Sequence, residues 1–233
     1  MAYNLGWLSN SASLLPFSTT FPATENPISQ GGIWTIGTEQ AGAGASGPQT
    51  TGGSPGYCYA PAADGIDYAA TLQSLGISTT KHYAQVTIKR TGGYTAPDTQ
   101  EVELLIGATL GSGVAAAYEM ALWFAGSTLQ PVRWNATPGS FDVGVFTDLT
   151  SSAGLPGWPG SLVDGDVVRA EFDSTSGSPV ITVYVNGTAR IKMSDTTAGK
   201  ITSGSPGFGF FVRSGTGLDM TGYCIKGFAA GSL

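Results

Sequence analysis

Between Val163 and Phe211 the chain alternates apolar and polar residues in three runs separated by turn formers: DGDVVRAEF, SPVITVYVNGTARIKM and ITSGSPGFGFF. Alternation at period two marks a strand with one buried face. Ile181, Val183 and Val185 share one face of the middle run, and Thr182 and Tyr184 share the other. After Asn186-Gly187, the residues Ala189, Ile191 and Met193 alternate with Arg190 and Lys192. A plain two-residue turn would set Val183 opposite Arg190 and Ile181 opposite Lys192, placing two cations on the apolar face. A three-residue loop ending at a left-handed Gly187 pairs Val183 with Ala189 and Ile181 with Ile191 instead, and the pattern predicts this bulged hairpin.

The same pattern predicts strands near Phe17–Phe21, Ile33–Ile36, Tyr57–Ala60, His82–Arg90, Glu101–Thr109, Ala117–Ala125, Leu129–Trp134, Phe141–Thr147, Val167–Asp173, Phe208–Arg213 and Tyr223–Phe228. No window repeats apolar residues at three- and four-residue spacing, so almost no helix is expected. More than ten strands with turns between them imply an all-β chain of two packed antiparallel sheets. Residues 1–16 read as an N-terminal arm carrying Leu5, Trp7, Leu8, Leu14 and Leu15, and residues 17–233 as one sandwich domain. AGAGASGPQTTGGSPG at 41–56 reads as a Gly-rich surface loop within that domain, because the 40 residues before it are too few for a core of their own.

Composition narrows the partners. Of 233 residues 35 are Gly and only 11% are charged, with a net charge of −6 and ten Lys plus Arg scattered along the chain, only Lys89 and Arg90 being adjacent. That distribution excludes a phosphate-binding stripe, and nucleic acid is not an expected partner. Apolar runs fall well short of the roughly 20 residues of a membrane-spanning helix. The start MAYNLGWLSNSASLLPF lacks the basic end and continuous apolar centre of an export signal. The two cysteines, Cys58 and Cys224, lie in strand-like segments and are expected to be buried thiols, with a bridge between them the alternative.

FPATENPISQGGIWTIG, HYAQVTIKR, DGDVVRAEF, ITVYVNGTARIKMSD and ITSGSPGFGFF together resemble the concanavalin A-like lectin/glucanase superfamily, the laminin-G-type jelly roll, over most of residues 17–228. The resemblance implies a jelly-roll β-sandwich whose first and last strands lie side by side. Its motifs are structural, so it implies a fold and not an activity. Laminarinase-like hydrolases of that superfamily carry an E-x-D-x-x-E strand. The nearest stretch here, Glu101-Val-Glu103, has Ile106 at the third position and reads as a solvated strand. Alginate-lyase-like members carry Gln-Ile-His, whereas Gln85-Val86-Thr87 has no histidine.

His82, the one histidine, alternates with Ala84, Val86 and Ile88 and belongs to the core or its rim. One histidine and two distant cysteines form no zinc signature. Asp164-Gly165-Asp166 supplies too few oxygens for calcium and reads as a turn. No metal and no cofactor is expected. Sugar binding needs an aromatic plane with amide, carboxylate or guanidinium groups around it. Trp123, Glu119, Tyr83, Gln85, Glu103 and Arg133 would form one exposed face of this kind if their strands share a sheet, and Trp158, among turn formers, is a further candidate. The expected protein is a non-enzymatic surface-binding or structural module. By fold analogy it would be a bacteriophage virion decoration, head-fibre or tail-associated protein, packing against copies of itself or other virion proteins and touching glycans. The alternatives are a secreted carbohydrate-binding module, extracellular in location, or a glycan hydrolase or lyase of the same fold.

Overall fold

Period-two alternation becomes strand wherever one face finds another apolar face to pack on, and the described residues contain sixteen strands. A computed structural model describes residues 16–38, 47–62, 67–72, 75–95, 100–111, 114–124, 129–134, 146–149, 161–212 and 219–233. Among these residues there is no helix.

The strands form two antiparallel sheets. The first runs β14 (Thr188–Ser194), β13 (Val180–Val185), β12 (Val167–Asp173), β7 (Lys81–Arg90), β16 (Tyr223–Ser232), β5 (Cys58–Tyr59), β4 (Gln49–Thr51), β2 (Thr24–Glu25), and β1 (Phe17–Thr19) also pairs with β16. The second runs β11 (Phe146–Asp148), β10 (Leu129–Trp134), β9 (Val114–Trp123), β8 (Gln100–Gly111), β15 (Ser205–Val212), β6 (Asp67–Leu72), β3 (Trp34–Thr38). Pairing of Phe17 with Ala230 and Thr19 with Phe228 sets the first strand beside the last. The result is an all-β sandwich.

Inward residues of both sheets close one core. Ala84, Val86 and Ile88 of β7 and Val168, Ala170 and Phe172 of β12 are fully buried, as are Val102, Leu104, Ile106, Tyr118, Met120 and Leu122 of the other layer. Trp34 is the aromatic hub, with edge-on contacts to Phe208 at 5.1 Å, Phe228 at 5.3 Å and Phe17 at 5.8 Å, so both sheets meet on one indole.

Several expectations change. The hairpin has a two-residue turn after all, with Val185 opposite Thr188 and both Asn186 (φ 49°) and Gly187 (φ 77°) left-handed. The extra residue sits one step into β14 at Arg190, so Tyr184 pairs with Ala189 but Val183 with Ile191 and Ile181 with Met193. The bulge keeps the cations off the apolar face, the job that the predicted loop was meant to do. β6, DYAATL, has no clear alternation and was not predicted, because its outer residues Ala69 and Thr71 are small or weakly polar and its inner residues include Ala70. Residues 49–51 of the expected Gly-rich loop form β4, while 41–46 lie outside the described residues. So do residues 1–15 of the arm and 141–145 of the strand predicted before Thr147. Cys58 and Cys224 are buried free thiols, and burial pushes the Cys224 thiol up to about 12.

Candidate functional site

Side chains of even number on β8 and β9 point into the core near their centres, so Glu101, Glu103, Leu105, Glu119, Ala121 and Trp123 point outward. Cross-strand register extends this outer face over the whole second sheet. Trp123 lies opposite Glu101, Glu101 opposite Phe211, and Phe211 opposite Asp67. The next row is Gln130, Ala121, Glu103, Gly209, Ala69 and Gly37. A row alternating aromatic and carboxylate thus borders a row of small residues with Glu103 in its middle.

Glycine at 209 makes room for the carboxyl there. A Cβ built on it would collide with Oε2 of Glu103, so the carboxyl lies over the bare backbone. Glu103 is completely inaccessible, and Glu101 and Glu119 are each only 7% exposed. The expectation of a solvated Glu101-Val-Glu103 strand is therefore wrong. The outer face of this sheet carries its own small apolar cluster of Ala69, Leu105, Ala108 and Ala117, against which Leu110 and Trp134 pack. One oxygen from each of Glu101, Glu103 and Glu119 lies within 4.8 Å of the other two. Trp134 donates its indole N–H to Oε2 of Glu119. Burial first, then the Glu119, Asp67 and Glu101 carboxylates, holds the Glu103 carboxyl well above its ordinary range.

The single predicted sugar face splits. Glu103, Glu119 and Trp123 share the outer face of the second sheet, with Trp123 half-buried. Tyr83 and Gln85 belong to β7, which pairs with β12 and β16 in the first sheet, so they face the opposite side of the molecule. There the Arg169 guanidinium lies 3.8 Å from the Tyr83 ring centre and bridges to Glu171 at 2.7 Å. Arg133 pairs with Tyr118, an inward position, and its guanidinium meets Asp195 with side chains 8% and 1% exposed. It ties the layers together instead of facing a ligand. Trp158 lies outside the described residues. The sequence reading missed Phe211 and Asp67. Phe211 follows the same alternation as Gly207 and Gly209, opposite in phase to Phe208 and Phe210, and that phase was the available signal.

His82 is a core group, inaccessible, with Nδ1 2.8 Å from the Ser78 carbonyl and Nε2 accepting the Gly107 N–H at 3.1 Å. Burial lowers its pKa to about 4, against a smaller opposing effect of the Ser78 bond. Asp164 and Asp166 serve their turn. Asp164 accepts from the Arg90 N–H and the Lys226 ammonium, and Asp166 accepts from the Val163 N–H and the Asn186 amide.

No protein-family model matches this chain, and no curated protein sequence matches it. Solved structures do. A Bacillus subtilis protein of unknown function with a galectin-like fold superposes at TM-score 0.53 and 11% identity, covering 93% of this chain and 94% of that one. The carbohydrate-binding module CBM66 from Bacillus subtilis gives 0.48 and 8%, covering 86% and 92%. Domain 4 of an extracellular arabinanase from Geobacillus stearothermophilus, solved with arabinotriose, gives 0.47 and 10%, covering 93% and 92%. At such identities the likeness concerns the fold, and the two-sheet sandwich of this chain is similar to the galectin-like one.

Proposed function

We propose that the chain is a non-catalytic carbohydrate-binding module whose ligand lies across the outer face of the second sheet, on the row Trp123, Glu101, Phe211 and Asp67. The alternation of this row carries the reading. Neighbouring strands are about 4.8 Å apart, which sets the two aromatic side chains about 10 Å from each other with a carboxylate between them. An aromatic plane takes the C–H face of a pyranose, and a carboxylate accepts from two adjacent hydroxyls. Trp123, Phe211 and Asp67 are half-buried, so each is anchored and still offers surface.

Binding suits this site better than hydrolysis. Glycoside cleavage needs a proton donor and a second carboxylate on opposite sides of an accessible sugar bond. Here the carboxyl held most strongly in its protonated form, Glu103, has no accessible surface. We extend the proposal to display on a larger surface, a virion or an extracellular assembly, because low charge and the apolar segment at 1–16 suit packing against copies or partners.

A glycan array followed by calorimetry on the best hit tests the site, with light scattering on the same sample for self-association. Trp123→Ala and Phe211→Ala should each weaken binding roughly five- to thirtyfold, by analogy with the loss of an aromatic anchor worth about 1–2 kcal/mol. Tyr83→Ala, on the far face, should leave affinity unchanged. Equal affinity in the Trp123 and Phe211 variants removes the site, and release of reducing ends from the bound glycan removes the non-catalytic reading.

A further inference from the structure

Buried carboxylates in mutual contact have to be neutralised, by protons or by a cation. Glu103 is the pivot of such a group. It is wholly inaccessible, no N–H group among the described residues donates to either of its oxygens, and the groups around it are other carboxylates, Asp67 within hydrogen-bonding reach and Glu119 and Glu101 beside it. Nothing in sugar binding requires an acid at this depth. Gly209 keeps the space above β15 free for it, since any side chain at 209 would run into the carboxyl.

The spacing of the oxygens bears on which cation fits. Oxygens around Ca²⁺ stand about 2.3–2.6 Å from the ion, so two on opposite sides are up to about 5 Å apart. Around Mg²⁺, at about 2.0–2.1 Å with strict octahedral demands, the limit is about 4.2 Å. The three glutamate oxygens lie within 4.8 Å of one another, a spread that the larger ion spans without drawing the two strands together. We propose that Glu101, Glu103 and Glu119 hold a calcium-sized divalent cation against the outer face of the second sheet, with Glu103 as its innermost ligand. The two strands fix the ligands in advance, because Glu101 and Glu103 alternate on β8 while Glu119 comes from the paired β9, diagonal to Glu103. Trp134 orients Glu119 through the indole N–H. Glu101 belongs both to this group and to the aromatic row, so the ion would also fix the middle of that row. The ion site does not depend on sugar binding and is measured without it.

Terbium is the probe, since Tb³⁺ takes calcium-type oxygen sites and luminesces when a nearby indole is excited, and Trp134 is bonded to a ligand. The full chain, stripped with chelator, should show saturable luminescence on excitation of tryptophan, displaced by Ca²⁺ and much less readily by Mg²⁺. Glu103→Gln and Glu119→Gln should weaken Tb³⁺ binding roughly tenfold or more, because ligand charge sets affinity in such sites. Asp164→Asn, in the turn that leads into β12, should leave it unchanged. Added Ca²⁺ should raise the unfolding temperature of the wild-type chain and not of Glu103→Gln, a comparison that needs no luminescence. Circular dichroism establishes that each variant is folded, and should one of the Glu variants fail to fold, the other and the wild-type displacement series decide. Absence of saturable luminescence in the wild type, or undiminished luminescence in a folded Glu103→Gln chain, overturns the proposal and leaves protons as the neutralising charge.

Discussion

At the scale of single residues, two buried titratable groups give stability opposite dependences on pH. His82 is neutral in the fold, with its pKa lowered from 6.5 to about 4 by burial. An unfolded chain takes up that proton first, so the contribution of His82 is fully present above about 6.5 and is lost as pH falls through about 4. The shift corresponds to about 3 kcal/mol. Glu103 is raised by burial and by the Glu119, Asp67 and Glu101 carboxylates. Its contribution is fully present below its ordinary value near 4.5 and is lost as pH rises through the folded value. Urea midpoints measured in chelator from pH 4 to pH 9 should therefore fall on both sides, with His82→Gln flattening the acid limb and Glu103→Gln the alkaline one. The inward position of His82 was legible from its alternation with Ala84, Val86 and Ile88. The burial of Glu103 was not, because alternation assigns a residue to a face and does not say what covers that face.

At the scale of elements, strand β15 shows why its sequence reads Gly-Phe-Gly-Phe. Phe208 and Phe210 fill the core, while the intervening glycines let β6 and the carboxyl of Glu103 approach the backbone. A Cβ at 207 would collide with the Ala70 carbonyl oxygen and lie 2.8 Å from the Thr71 Cγ2. Backbone cannot yield as a side-chain tip can. Gly207→Ala should cost about 1–3 kcal/mol, read as a lower urea midpoint with unchanged slope. The hairpin gives a complementary lesson. Asn186-Gly187 announced a turn, and polarity of the flanking residues required one extra residue to keep Arg190 and Lys192 outward. Whether that residue sits in the loop or inside β14 is decided by the left-handed φ available to both turn residues and by the register of β13 against β12.

At the scale of the whole molecule, a polar node crosses the core between the layers. Asp195, just after β14 of the first sheet, accepts from the Tyr118 hydroxyl at 2.8 Å and from the Arg133 guanidinium, and Tyr118 in turn accepts the Ile201 N–H at 3.0 Å. Both charges are out of water, so removing one leaves the other buried without its counter-charge. Arg133→Met and Asp195→Leu should each cost about 3–5 kcal/mol, and the double variant should recover most of the loss, since a buried pair often exchanges for apolar residues at little net cost. Equal destabilisation in the double variant, measured by chemical unfolding, would mean that the node does not act as a pair.

The sequence by itself determined the strand content, most strand positions and the inward faces of β7, β9 and β13, because these follow from period two and local turn chemistry, while the pairing of first with last strand was implied by the family resemblance. Only the tertiary structure decided which strands share a sheet. β7 and β8 are neighbours in sequence and members of opposite layers, so Tyr83 and Gln85 parted from Trp123, Arg133 turned inward to Asp195, and Glu101, Glu103 and Glu119 came together under Trp134. Hydrogen bonds between strands form across the chain at long range, and alternation along one strand holds no record of its partner.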